Sequence, residues 1–321
     1  MGTLLDALSQ ESQDNQREVV KNEKRSSYDN RPYGSWSEKL QAHLYPEGHP
    51  YHHPTIGSMA DLDAASLEDV SAFFRTYYAP NNAVLAVVGD VDPAVVRTWA
   101  DRYFGGIPAN PAIPPVRDMT LPPTLGAEIR ETVTDQVPLP RIYFGFRAPV
   151  VGDRRLDALE VAMQILAGGK GSRLDRRLVR DDQIAQDVVA FVLGFIGGGS
   201  IAAGWATLKP GVALERVEAA YLEELDRLTR EVVTDDELAR AKALIETEEL
   251  GALSRVEERA DRLAMNATLF DDPALIDTML ARYLSVTAEQ IRAVAADVFR
   301  KDNRLVLTYL PASGSTEEAA E

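Results

Sequence analysis

Glu23 occupies the clearest chemical position in this chain. It lies in NQREVVKNEKRSS (residues 15–27), where Val19 and Val20 are the strongly apolar residues, three and four positions before it. In an α-helix that spacing puts Glu23 on one face with the valine pair, with Gln16 one turn earlier. If the face turns inward, a carboxylate is carried toward the core. It must then find a hydrogen-bonding or cationic partner, or coordinate a metal. The alternative is a solvated Glu23 neutralised by Lys21, Lys24 or Arg25. The four histidines, His43, His49, His52 and His53, share one window. Such a cluster invites a metal reading, but no HxxEH or other helical ligand pair occurs. Three of the four sit among prolines in YPEGHPYHHPTIG, a loop, so a structural or surface role is expected. The tract AGGKGS lacks the GxxxxGK[ST] spacing of a phosphate loop. A helix C-cap followed by Ser172 as the next N-cap accounts for it.

Composition limits the classes of function. A chain of 321 residues accommodates two domains of ordinary size. A net charge of −16 disfavours nucleic acid and anionic membrane as partners. No cysteine is present, which removes disulfides, thiolate metal sites and a Cys nucleophile, and is compatible with either cytoplasm or periplasm. No run of eighteen apolar residues exists, so no membrane span is expected. The opening MGTLLDALSQES has neither the basic region nor the apolar length of a signal peptide.

The elements that would position Glu23 follow in order. After helix 15–27, Pro32 and Gly34 break the chain and a short helix runs from about Ser35 to Leu44. Ser66 and Asp69 form a capping box for a helix to Tyr78 with Val70, Phe73, Phe74 and Tyr77 inward. AVLAVVGD (83–90) reads as a central, buried strand, and Asp92-Pro93 opens another helix to Phe104. The proline-rich stretch that follows reads as a linker. The second half is expected to hold strands 127–134, 141–147, 183–193 and 200–208. Its helices are expected at 155–166, 172–181, 212–230, 234–270 and 273–283, with a final helix–strand unit at 287–310.

That final unit repeats an earlier one. SLEDVSAFFRTYYAPNNAVLAVV (66–88) matches TAEQIRAVAADVFRKDNRLVLTY (287–309) without a gap at an offset of 221. Ser66 pairs with Thr287, Val70 with Ile291, Phe73 with Val294, Asn82 with Asn303 and Leu85 with Val306. A looser match pairs residues 8–23 with 233–248. Roughly residues 125–225 have no counterpart in the first copy, which begins in its middle. An isolated half domain would expose the Ala83–Val88 strand, so truncation of a larger protein is the expectation.

The tandem repeat, REVVKNEKR on a helix, DNRPYG with the HPYHHPTIG loop, and SRLDRRLVRDDQIAQDV (172–188) together resemble the insulinase/pitrilysin family of zinc metallopeptidases. The resemblance extends over essentially the whole chain. It implies an HxxEH helix supplying two His ligands and a general-base Glu, with a further Glu downstream as third zinc ligand. By its position in the motif, Glu23 resembles that third ligand. It also implies a zinc-bound water whose proton the motif Glu takes as hydroxide attacks a peptide carbonyl. This sequence has no HxxEH, and its second half has no His, so the chain by itself is expected to be inert. Where active assemblies of the family carry an Arg and a Tyr in LRxxxxLxY, this chain has Val179 and Gln186. Arg180 stands one residue out of register, so the second domain resembles a companion to a catalytic domain. The expected fold is α+β, two tandem homologous domains, each an antiparallel sheet with helices mainly on one face, the first incomplete. The expected bounds are 1–106 for the first (catalytic-type) domain, 107–124 for the linker, 125–312 for the second, non-catalytic domain and 313–321 for a disordered tail. The expected function is part of a zinc metalloendopeptidase acting on peptides or unfolded protein. A second metallopeptidase-like half would lie in the same chain or another subunit. The alternative is a non-catalytic scaffold or partner subunit.

Overall fold

The computed structural model describes residues 8–312. The tail expected at 313–321 lies outside them. The described chain is α+β and forms two compact units, neither contiguous in sequence. Among the described residues, one comprises 8–26, 55–117 and 248–279, and the other 27–54, 118–247 and 280–312. Each half of the sequence therefore lends a helical segment to the unit of the other.

The second unit holds the sheet. Strands β1 (Ile129–Asp135), β2 (Arg141–Ala148), β3 (Ala185–Leu193), β4 (Ser200–Leu208) and β5 (Arg304–Pro311) lie in the order β1-β5-β2-β4-β3. β2 pairs antiparallel with β4 and β5, and β3 antiparallel with β4, whereas β1 runs parallel to β5. The largely antiparallel sheet expected from the sequence thus carries one parallel edge pair. Alternation along β5 divides its side chains between two cores, with Val306 on one face and Leu305, Leu307 and Tyr309 on the other.

Helices α6 (Arg154–Ala167), α7 (Leu214–Arg230) and α11 (Ala288–Val298) cover the Val306 face. Leu159, Ile165, Val217, Ile291 and Val294 are buried there. The opposite face is covered by α2 (Trp36–Leu44), which comes from the first half of the sequence. Leu40 and Leu44 of α2 are fully buried. Gly145 in β2 permits this approach, because a Cβ there would lie 2.5 Å from Leu40 Cδ1. Trp36 stacks on Tyr143 at 5.6 Å, and Arg141 lies 3.9 Å over the Tyr33 ring.

The first unit contains α1 (Gln10–Lys24), α3 (Met59–Ala64), α4 (Leu67–Tyr77), α5 (Pro93–Phe104) and α9 (Val256–Phe270). The end of α8 (Asp235–Leu253) belongs to it too. The helix expected to run unbroken over 234–270 divides between α8 and α9, where Ser254 and Arg255 leave the helix. Both expected caps are present. Ser66 and Asp69 close a reciprocal box on α4, and Thr287 and Gln290 do so on α11.

The segment 83–90 departs from expectation. It forms no strand, residues 83–88 having no regular structure and 89–90 a bend, and Val84, Leu85 and Val87 are exposed. A run of apolar, β-branched residues becomes a strand only when neighbouring backbones complete its hydrogen bonds. Among the described residues the first unit has no strand to do so. For the same reason Phe73 and Tyr77, expected to face inward, lie on the surface.

Candidate functional site

Glu23 lies in the last turn of α1, and its side chain is exposed. Val19, on the same face, is 51% exposed. Val20 is half-buried, so of the face expected to turn inward Glu23 and Val19 turn outward. The opposite side of α1 is anchored by long polar side chains. Gln13 Nε2 donates to the Ala65 carbonyl at 2.9 Å, and Arg17 Nε donates to the Leu62 carbonyl at 2.8 Å. A second Arg17 nitrogen reaches the Ala65 carbonyl at 2.7 Å, and Lys21 pairs with Asp63 at 2.8 Å. Residues 13, 17, 21 and 24 recur every three or four positions, and Gln13 and Lys24 are buried. This polar stripe outweighs the two valines because it satisfies the carbonyl groups at the end of α3. The hydrogen bond that Lys21 donates to Asp63 holds its ammonium above the ordinary range.

Among the described residues no three His, Asp or Glu side chains converge as metal ligands. Glu23 contributes a single carboxylate, so these residues alone do not fit a zinc ion, which takes three or four protein ligands.

The histidines serve the structure. His43 Nε2 is 2.7 Å from Glu131 on β1, and Lys39 pairs with the same carboxylate. Burial pushes the Glu131 carboxyl up, but the hydrogen bonds from Lys39 and His43 outweigh it and leave the group below its usual range. His49 and His52 bond the carbonyls of Met119 and Tyr45, and His53 that of Pro54. Their separate backbone partners account for a tight loop without a metal.

The stretch 178–186, where the sequence has Val179 and Gln186, runs from the core to the sheet edge. Val179 packs against the sheet core, and Gln186 is an exposed residue of β3. Arg180 faces Asp175 at 3.5 Å, and Arg177 is held by Asp182 and Glu223. Ser172, expected as an N-cap, does not cap with its side chain: its carbonyl accepts from the Arg176 N–H at 3.0 Å, and the N-cap of the 175–181 helix is Leu174. The Ser172 hydroxyl is buried without a partner. Beside it Arg173 makes two bonds to Glu237, at 2.7 and 2.8 Å. Those bonds, with one from the Thr234 backbone, outweigh burial and hold Glu237 down to about 2.

One signal in the sequence was available and is visible only with the fold in view. The match of residues 8–23 with 233–248 continues at its offset of 225 into the next helix. LQAHLY (40–45) in α2 aligns with MNATLF (265–270) in α9, placing Leu40 on Met265 and Leu44 on Leu269. Leu40 is 1% exposed and Met265 42%. The helix exchanged from the first half finds a sheet to cover, and the helix exchanged from the second half finds none among the described residues.

Residues 64–245 match the family described as "Peptidase M16 inactive domain". The chain belongs to that family. A Helicobacter pylori protein named "Zinc protease PqqE" is 27% identical over 92% of this chain and 66% of its own length. An uncharacterised zinc protease of Streptomyces coelicolor is 26% identical over 76% of this chain and 54% of its own. The chain thus spans less than two thirds of the length of these relatives. Its fold resembles the crystal structure of a protease from Helicobacter pylori, with a TM-score of 0.86 at 24% identity, covering 95% of this chain and 73% of that one. These comparisons agree with the insulinase-type resemblance read from the motifs. Among the described residues no helix of this M16 chain is long and apolar enough to cross a membrane.

Proposed function

We propose that this chain is part of a zinc metalloendopeptidase of the insulinase type, to which it contributes Glu23 as one metal ligand. The remaining ligands would lie outside these residues. The observation that carries the reading is the position of Glu23 within an M16 family chain. It sits exposed on α1 with Val19, available to a site completed from elsewhere. Peptides or unfolded segments would be the substrate of the assembled protein, and these 321 residues would be inert alone. In this reading residues 1–106 are the back of a catalytic-type domain, 107–124 the linker and 125–312 a non-catalytic companion.

A non-catalytic partner subunit is the second reading, favoured by Val179 and Gln186 where a substrate-clamping Arg and Tyr would stand. The two separate by zinc analysis and casein cleavage of the natural gene product purified from its host. The peptidase reading expects about one zinc per chain, lost with Glu23→Gln and kept with Glu18→Gln. A natural product with neither zinc nor proteolysis makes the chain a partner subunit.

A further inference from the structure

Arg147, at the end of β2, is a half-buried cation without a carboxylate. Its Nε donates to the Leu44 carbonyl at 2.7 Å, and its Nη1 donates to the carbonyls of Thr124 and Pro122 at 3.0 and 3.2 Å. These bonds fix the guanidinium between α2, β2 and the chain before β1, yet none brings it a full negative charge. Arg173, Arg282 and Arg304 of the same unit are each paired with an acid, respectively Glu237, Asp157 and Glu128. Among the described residues Arg147 has no such partner, and burial pushes its pKa down. A shielded charge in that state is costly unless an anion completes it.

The guanidinium borders a cavity of about 290 Å³ that lies wholly within the second unit. Four charged residues line it: Arg147, Asp153, Arg155 and Asp297. Arg155 and Asp153 neutralise each other, joined at 2.7 Å. Asp297 is left over. It forms no ion pair among the described residues and acts on Arg155 and Arg300 only at longer range. It also stands in the last turn of α11, where the carbonyl end of the helix disfavours a carboxylate and favours a cation. One open positive group and one open negative group therefore border the same space.

We propose that this cavity binds a small zwitterion, an amino acid or a short peptide with both termini free, with its carboxylate on Arg147 and its ammonium at Asp297. Nη2 of Arg147 makes no hydrogen bond among the described residues and is the donor left for the carboxylate. Pro122, Pro149 and Val150 line part of the remaining wall and suit an apolar side chain. A dianion such as phosphate fits poorly, because one guanidinium nitrogen is open and two carboxylates border the cavity. Glu23 belongs to the first unit, so the inference is independent of the peptidase reading.

The test is isothermal titration calorimetry of the natural gene product, purified from its host, with leucine and with leucyl-leucine. Saturable binding of either is expected, and the tighter of the two identifies free amino acid or peptide as the ligand. The amide of that ligand, which lacks the carboxylate, should bind at least about tenfold more weakly. Arg147→Gln should abolish this preference. Asp297→Asn changes an exposed side chain and keeps the fold. It should weaken the zwitterion about threefold and leave the N-acetyl derivative, which has no ammonium, unchanged. Glu289→Gln, at the other end of α11, should alter neither. No saturable binding, equal binding of the amide, or binding indifferent to both Arg147→Gln and Asp297→Asn would overturn the proposal and leave Arg147 as a strut between α2 and β2. Zinc content should be the same in both variants as in the parent, so this inference and the peptidase reading fail separately.

Discussion

Glu237 and Glu23 show how neighbours decide what a carboxylate does. Glu237 accepts two bonds from Arg173, whose side chain is almost wholly buried, and closes a reciprocal cap with Thr234. Its folded-state value of about 2 lies below the ordinary 4.5. The pair's contribution is therefore present above pH 4.5 and is lost as pH falls from there toward 2. That contribution is on the order of 3 kcal/mol. Urea titrations between pH 7 and pH 2.5 should show Glu237→Gln less stable at neutral pH and less sensitive to acid than the parent. Glu23, exposed at the end of α1, has no such ligation. Glu23→Gln should leave the chain's urea midpoint unchanged, shifting stability by less than about 0.5 kcal/mol.

At the level of elements, α2 and α9 are twins in different surroundings. Leu40 fills the space above Gly145, so Leu40→Ala leaves a cavity and should cost about 2–5 kcal/mol. Met265→Ala, at the equivalent place on α9, should change the stability of the isolated chain by less than about 0.5 kcal/mol. The same contrast holds between strands. Val306→Asp buries an unpaired charge among Val294, Leu159 and their neighbours and should unfold the second unit. Leu85→Asp should leave the circular dichroism and denaturant midpoint of the isolated chain unchanged. The sequence shows the repeat that relates these elements, because capping boxes, turn Asn and apolar spacing are local. It does not show that one twin is covered and the other bare, since covering comes from β1, β2 and α2, distant in the chain.

For the whole molecule, apolar cover is unequal between the two units. The two extended buried clusters line the faces of the five-stranded sheet, whereas α4, α5 and α9 expose Phe73, Trp99, Tyr103 and Met265. A domain whose apolar surface stays in water offsets little of its chain entropy. Urea unfolding followed by hydrogen exchange should therefore resolve two steps, with residues 55–104 opening before β2 and β5. One coincident transition for both regions would contradict this.

By itself the sequence determined the α+β class, the caps, the tandem repeat and the absence of HxxEH. Each depends on residue type or on contacts between positions three or four apart. Only the tertiary structure decided which way α1 turns. Two valines suggested an inward face for Glu23, but Gln13 and Arg17 bonded the carbonyls of Leu62 and Ala65, Lys21 paired with the Asp63 carboxylate, and Glu23 was left to solvent. Tertiary structure also decided that AVLAVV is no buried strand. Its apolar residues specify what it can pair with, and pairing requires a neighbouring backbone that the first unit, among its described residues, does not supply.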